Sequence, residues 1–246
     1  MLYSRTRHLK SGAARKLSWP ERLRKLQAET VDPRLQAFYQ AGWPDPETPM
    51  AEVPMVAMDF ETTGLSPVDD SIVSIGLLPF ELARIRVAGA HHWLLRPQVP
   101  LHPTSVTIHG ITHSDIEDAP DIDEVLDEIL SVMAGRIAVV HYRHIERPFL
   151  DVALQARLGE GIQFPVIDTI AIESYLHPKR SPGWWAQWVQ GKKPISVRLP
   201  DCRVRYRLPH YPPHNALTDA LATAELLQAQ IQHHFSPETP LADLWL

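Results

Sequence analysis

Apolar positions along the chain change period several times, and each change marks an element. Between Leu17 and Gln40, residues Leu23, Leu26, Leu35, Phe38 and Tyr39 recur at helical spacing. Asp32-Pro33 reads as an N-cap followed by a first-turn proline, which divides the stretch into two helices. Gly42-Trp43-Pro44-Asp45-Pro46 and Thr48-Pro49 form a stiff connector. Val53 to Phe60 is a nearly continuous apolar run, as expected of a buried strand, and Gly64-Leu65-Ser66-Pro67 turns the chain. Ile72 to Phe80 predicts a second strand and His91–Leu95 a third. Asp121 caps a helix over about 122–134, with Ile122, Val125, Leu126, Ile129 and Leu130 as its apolar stripe. Ile137–Val140 reads as a short buried strand, and Pro148 suits the first turn of a helix running to about Leu158. Val166-Ile167 reads as a strand end, Asp168 as the cap of a helix to about Leu176, and Ala216 to about Gln232 as a long alanine-rich helix. Three strands followed by alternating helix and strand predict an α/β fold with a mixed sheet.

The same pattern separates a basic, helical N-terminal extension with its linker (1–52), a main domain (53–235) and a C-terminal tail (236–246). Residues 178–213 interrupt the alternation as a basic, tryptophan-rich insertion. They hold Trp184, Trp185, Trp188, Lys192-Lys193 and the series Arg198, Arg203, Arg205, Arg207. The indoles either stack on bases or arginine planes, or pack the insertion onto the core.

Charge sharpens this division. The chain of 246 residues carries a net −5, yet residues 1–30 hold eight Lys/Arg against two Asp/Glu, and residues 178–210 hold eight against Asp201 alone. The remaining residues are strongly acidic. Positive charge concentrated in two stretches fits a polyanion partner without a basic protein overall; a simply solvated surface is the alternative. Cys202 is the sole cysteine, so no internal disulfide framework exists. No apolar run approaches the roughly 20 residues of a membrane span, and the basic N-terminus lacks the apolar core of a secretory signal. The expectation is a cytoplasmic protein.

Two segments carry the chemistry. Met58-Asp59-Phe60-Glu61-Thr62-Thr63-Gly64 lies where the first strand enters its turn, so Asp59 and Glu61 share a strand face. Carboxylates aimed at one spot repel unless a cation lies between them, and oxygen ligands suit Mg²⁺ or Mn²⁺. His214-Asn215-Ala216-Leu217-Thr218-Asp219 adds a third carboxylate and a histidine, the usual general base near neutrality. Capping or surface solvation is the structural alternative for the acids, and a loop role for His214.

Asp-x-Glu-Thr-Thr-Gly early with His-x-x-x-x-Asp late resembles the DEDD exonucleases, in the histidine-using, DnaQ-like branch that includes replicative proofreading subunits such as the epsilon subunit of bacterial DNA polymerase III. Ile72-Val73-Ser74-Ile75-Gly76, Ile108-His109-Gly110-Ile111-Thr112 and Asn215-Ala216-Leu217-Thr218-Asp219-Ala220 extend the resemblance over about 53–235. It implies an RNase H-like fold, a mixed five-stranded sheet flanked by helices, and 3′→5′ exonuclease activity on DNA that releases nucleoside 5′-monophosphates. It also implies two divalent ions about 4 Å apart. Asp59 would bridge both ions, Glu61 and Asp219 would complete the first, and His214 would deprotonate the attacking water. Thr62, Thr63, Gly64, Leu65, His109, His141 and Phe149 fall at substrate-side positions; for His109 and His141 a satisfied structural role is the alternative.

The middle motif departs from the family pattern His-Asn-Ala-x-Phe-Asp-x-x-Phe-Leu. Here it reads His141-Tyr142-Arg143-His144-Ile145-Glu146-Arg147-Pro148-Phe149-Leu150. Glu146 thus stands for the expected aspartate, one C–C bond longer, with Asp151 as the alternative carboxylate, and Tyr142 replaces an asparagine. Three functional readings follow: a DNA exonuclease of proofreading or repair type, an enzyme that trims RNA or short oligonucleotides, and a weakly active module that binds nucleic acid or a polymerase. The ending Leu241-Ala242-Asp243-Leu244-Trp245-Leu246 loosely resembles sliding-clamp-binding peptides, a buried tail being the other explanation.

Overall fold

The computed structural model describes residues 18–177 and 195–246. Two helices come first, α1 (Trp19–Glu29) and α2 (Pro33–Gln40), divided where Asp32 accepts hydrogen bonds from the Arg34 and Leu35 amides. The strands are β1 (Met55–Thr62), β2 (Ile72–Glu81), β3 (Arg84–Ile85), β4 (His91–Leu94), β5 (Ile137–Val140) and β6 (Val166–Asp168). Helices α3 (Pro103–His109), α4 (His113–Ile116) and α5 (Ile122–Met133) lie between β4 and β5. Helix α6 (Arg143–Leu158) joins β5 to β6, followed by α7 (Thr169–Leu176), α8 (Leu199–Arg205) and α9 (Ala216–His234).

The sheet runs β3-β2-β1-β5-β6, with β4 also on the outer edge of β2. β1 pairs antiparallel with β2 and parallel with β5, and β5 pairs parallel with β6, so the sheet is mixed as expected. It has six strands rather than five. The extra one, β3, is a two-residue return from Phe80-Glu81, too short to show an apolar alternation. Helix α6 starts at Arg143, so Pro148 lies inside it and not in its first turn. The missing N–H removes one bond near the helix start, where few have yet formed, and the continuous apolar face of Phe149, Leu150 and Leu154 carries the helix through.

Two apolar layers sandwich the sheet. On one side Val56, Met58, Phe60, Ile75 and Leu77 pack against α5, α6 and the helices before the linker, through Leu23, Leu35, Phe38 and Tyr39. On the other, Met55, Ala57, Leu78, Phe80, Ile137 and Val139 meet Ala220, Ala224, Leu227 and Ile231 of α9. The C-terminal residues join this second layer: Leu241, Leu244 and Trp245 are buried, and Leu246 exchanges backbone hydrogen bonds with Val166. The side chains of the clamp-like ending are therefore interior, in line with the buried-tail explanation. Among the described residues, no helix is long and apolar enough to cross a membrane.

Alanines at 216, 220 and 224 keep α9 low on the sheet, and Gly76 lets its first turn come closest. A Cβ built on Gly76 would lie 2.5 Å from the Ala216 carbonyl oxygen and the Leu217 nitrogen, both backbone atoms with no freedom to swing away. Gly76→Ala should therefore destabilise the protein by about 1–3 kcal/mol, through forced separation of helix and strand. Gly89→Ala, where nothing lies within 4 Å of the new methyl, should stay within about 0.5 kcal/mol. Urea denaturation of both variants checks the contrast.

Candidate active site

β1, β5 and β6 run parallel, and clefts in such sheets form beyond the carboxyl ends of the strands. Asp59 and Glu61 project there from the β1 face that Met55 and Ala57 also use, toward α9. Pairing with β2 slips just past them: Glu61 opposes Ser74, but Thr62 opposes Ile72. This irregularity ends the ladder where the carboxylates leave the sheet. Gly76 is the direct cross-strand partner of Asp59. The close approach of α9 at Gly76 therefore brings the helix start over the two acids.

The start of α9 is locked locally. The Asn215 side chain caps it by accepting from the Thr218 amide at 3.0 Å, and the His214 amide donates to Asp219 Oδ2 at 2.7 Å. His214 adopts φ +68°, a left-handed conformation unusual for a residue with a side chain. One donor atom each from Glu61, His214 and Asp219 lies within 4.8 Å of the others. Helix α6 brings Glu146 from the opposite side. It is 3% exposed, and its Oε2 has no hydrogen-bond partner. Next to it, buried Asp168 pairs with Arg143 (Nη1 to Oδ2, 2.9 Å) and caps α7 through the Ile170 and Ala171 amides.

Burial and neighbouring charge disfavour ionisation of the four acids. Burial, then the charges of Glu146, Asp219 and Glu61, hold Asp59 well above the usual carboxylate range. Glu61 is pushed up to about 7 by burial and Asp219, and Glu146 to about 8, mainly by burial, with Asp168 adding to it. Asp219 is also raised, by burial, against the counter-effect of the His214 amide. Such shifts mark a candidate site, and of these acids Glu61 and Asp219, with His214, are grouped closely enough to hold a metal ion.

Other expected residues divide. Thr62 Oγ1 donates to the Gly64 carbonyl at 2.6 Å, and buried Thr63 donates to Asp70 at 3.0 Å, so both shape the turn. Gly64 packs so tightly on the Asp70 carboxylate that a Cβ has no room there. Leu65 is 82% exposed at the rim. His109 accepts from the Ile111 amide through Nδ1, its buried Nε2 has no partner, and burial together with nearby His214 disfavours its protonation. His141 bonds through both ring nitrogens, Nδ1 to Thr169 Oγ1 and Nε2 to the Val197 carbonyl. Burial depresses its pKa to about 4, so it is neutral, with Nε2–H donating to Val197. That is the structural role rather than a substrate contact. Phe149 is 2% exposed in the main core and presents no free face. Asp151 turns to the Ile162 amide and abuts Gly161, away from the acids.

The four arginines of the insertion divide: Arg198 and Arg207 are exposed, whereas Arg203 and Arg205 are turned inward. Arg203 is 4% exposed and paired with Glu225, and Arg205 pairs with buried Glu173. Trp184, Trp185, Trp188, Lys192 and Lys193 lie outside the described residues. Sequence reasoning missed the Arg203–Glu225 pair because 22 residues of irregular spacing separate partners that only the fold brings together. It read Asp168 correctly as a cap without its effect on Glu146.

The raised carboxylates set a sign for pH dependence. Groups such as Glu61 and Glu146, with folded values above the ordinary 4.5, bind more protons folded than unfolded. Their stabilising effect is complete below about pH 4.5 and is lost as pH rises through about 7 to 8. Without divalent cations, the unfolding temperature should therefore fall as pH rises from about 5 to 8, and Glu146→Gln should flatten that fall. A flat profile in the wild type would contradict the electrostatic account.

Comparison with known proteins agrees with this geometry. A family model described as an exonuclease, of the RNase T type, matches residues 56–227. A DNA polymerase III subunit epsilon-like protein of Rhodobacter capsulatus is 30% identical over 181 residues, 73% of this chain and 24% of that protein. A PolC-type DNA polymerase III of Thermotoga petrophila is 34% identical over 126 residues, 51% of this chain and 9% of the polymerase. The chain thus spans only a small part of the length of these relatives. The fold is shared with Exonuclease X in complex with 5′ overhanging duplex DNA (TM-score 0.56, 22% identity, covering 77% of this chain and 98% of that one). It is shared too with the nuclease domain of 3′hExo, a DEDDh family member, bound to rAMP (TM-score 0.58, 16% identity, covering 74% and 92%). With the family match extending over most of the chain and a mixed RNase H-like sheet presenting Asp59 and Glu61 to the start of α9, the chain belongs to the DnaQ-like exonuclease family.

Proposed function

We propose that the chain is a divalent-metal-dependent 3′→5′ exonuclease that hydrolyses terminal phosphodiesters of DNA to nucleoside 5′-monophosphates. The observation that carries this reading is the cluster of Glu61, His214 and Asp219, with one donor atom of each within 4.8 Å of the others, beside a buried Asp59 whose ionisation the charges of Glu146, Asp219 and Glu61 disfavour. The donor set fits divalent ions. It is rich in carboxylate oxygen, its members disfavour one another's charge, and Glu146 Oε2 is buried without a partner. Asp59, Glu61, Asp219 and Glu146 would hold Mg²⁺ or Mn²⁺, which when bound supplies positive charge to the phosphate oxygens as negative charge develops on them.

The chain's own groups do the remainder. His214 accepts a proton from the attacking water, whose oxygen adds to phosphorus. The phosphorus–O3′ bond breaks, and the shortened strand keeps a new 3′-hydroxyl after protonation. The His214 side chain is exposed on an αL backbone, and one of its ring nitrogens lies within 4.8 Å of carboxylate oxygens of Glu61 and Asp219. The Leu65 side chain, exposed just past the Thr63–Gly64 turn, provides an apolar surface for the terminal base. The DNA-polymerase names among relatives support DNA as substrate and association with a replicative polymerase.

Two assays test the reading. Incubation of 5′-labelled single-stranded DNA and RNA with Mg²⁺, Mn²⁺ or EDTA should give a metal-dependent ladder from the 3′ end, stronger on DNA and absent with Asp59→Ala. Cleavage that persists in a clean Asp59→Ala preparation would overturn the site assignment; a stronger RNA ladder would move the substrate to RNA. Glu146→Gln, which removes charge but keeps shape, should lower kcat by about 10²-fold or more with little change in KM. Unaltered kcat would show Glu146 to be a passive core acid.

A further inference from the structure

Arg203 is buried, whereas every other Lys or Arg among the described residues is at least partly exposed, and the hydrogen-bond partners of its side chain belong to two elements flanking His214. From α8 its Nη1 donates to the Ala222 carbonyl at 2.6 Å, and Nη2 donates to the Pro209 carbonyl at 2.9 Å and to Glu225 Oε2 at 2.7 Å. Its guanidinium carbon lies 4.6 Å from the centroid of the Tyr211 ring, and the Tyr211 hydroxyl donates to the other Glu225 oxygen at 3.0 Å. Arg203 thus ties the loop at Pro209 and Tyr211 to α9 at Ala222 and Glu225. Ala222 lies less than one turn beyond Asp219.

The loop carries this attachment on to His214. Only Pro212-Pro213 separates Tyr211 from His214. Proline rings fix φ, so two in succession make a short stiff strut. The strut ends at His214, in the left-handed conformation and held by its amide to Asp219. Helix α8 itself cannot drift: Arg205 bonds to Glu173 and to the Ser196 carbonyl, and the Tyr206 hydroxyl bonds to Glu173, which is anchored to α9 through Gln230. The path is continuous from a fixed helix, through an arginine stacked on Tyr211 and bonded to Ala222, Pro209 and Glu225, along a rigid dipeptide, to His214.

We propose that Arg203, with Tyr211 and Glu225, is a positioning residue that sets where the His214 ring lies over the carboxylates. The assignment rests on His214 acting as general base in the hydrolysis proposed above. It reassigns an arginine that the sequence places in a nucleic-acid-binding run: its charge is spent inside the protein.

The test is a double-mutant cycle on metal-dependent DNA hydrolysis, with folding followed by circular dichroism and thermal melting. Tyr211→Phe keeps the stacked ring and loses only the bond to Glu225; kcat should fall about 3- to 10-fold with KM unchanged. Arg203→Met should lower kcat about 30- to 100-fold, and Arg203→Lys should recover part of that. Pro212→Gly with Pro213→Gly leaves every Arg203 contact in place but loosens the strut, and should lower kcat in the same way. In a His214→Ala background, each of these changes should alter the residual rate by less than about 2-fold, because the group they position is gone. Full multiplicative losses in that background, or a rise in KM in place of the fall in kcat, would overturn the proposal. If Arg203→Met fails to fold, Tyr211→Phe and the double glycine variant decide it alone. Wild-type rates retained by His214→Ala would instead overturn the general-base reading, and NMR then separates the two claims: an unshifted His214 ring resonance in Tyr211→Phe would overturn the positioning role as well, whereas a shifted one would uphold it.

Discussion

The contact between the first turn of α9 and β2 at Gly76 governs the rest of the molecule. Helix and strand meet there backbone to backbone, with no room for a methyl group. Gly76 pairs across the sheet with Asp59, so the point of closest approach is also the point at which the strand's acids face the helix. Ala216, Ala220 and Ala224 continue the low seat along the helix, and the larger Leu227 and Ile231 fill the wider gap beyond. A side chain at Gly76 or a large residue at 216 would lift His214 and Asp219 away from Asp59 and Glu61 together. Packing and chemistry therefore depend on one steric constraint.

That arrangement carries an electrostatic strain which the core has to absorb. Burial disfavours the charged forms of Asp59, Glu61, Glu146 and Asp219, and neighbouring acids add to the difficulty for Asp59, Glu61 and Glu146. Two apolar layers and the interlocking of residues 46–51 with the C-terminal segment supply the offsetting stability. Elsewhere buried charge is neutralised in place: Glu173 by Arg205, Tyr206 and Gln230, Arg203 by Glu225, and Asp168 by Arg143. Among the described residues, the Asp59 cluster is where buried carboxylates meet without an arginine or lysine beside them, which is what the proposed divalent ions would supply.

Much of this was legible in the order of residues. Strand and helix periods gave the longer elements to within a few positions, because buried faces impose them directly, but they missed α3, α4 and α8, which are too short to show a helical period. The spatial grouping of Glu61, His214 and Asp219, with Asp59 on the same strand face as Glu61, was legible from spacing, since a strand face and a helix start constrain where neighbouring side chains point. Other assignments failed for physical reasons. β3 is too short for any period, and Pro148 sits within α6 because tertiary packing overrides its preference for a helix start. Phe149 belongs to a motif beside the substrate but also to the apolar stripe of α6, and the stripe describes its surroundings. Arg203 and Arg205 look in sequence like any basic surface run. Only the fold reveals acids 22 and 32 residues away as their partners.

The most direct test of the central claim is a count of bound Mn²⁺ by electron paramagnetic resonance, titrated into the metal-free protein near pH 7.5 with a nucleoside 5′-monophosphate present. The account predicts saturable binding of about two ions per chain, abolished or greatly weakened by Asp59→Asn and weakened by Gly76→Ala, which moves Asp219 away without touching a carboxylate. No saturable binding, or equal binding by the wild type and Asp59→Asn, would contradict it.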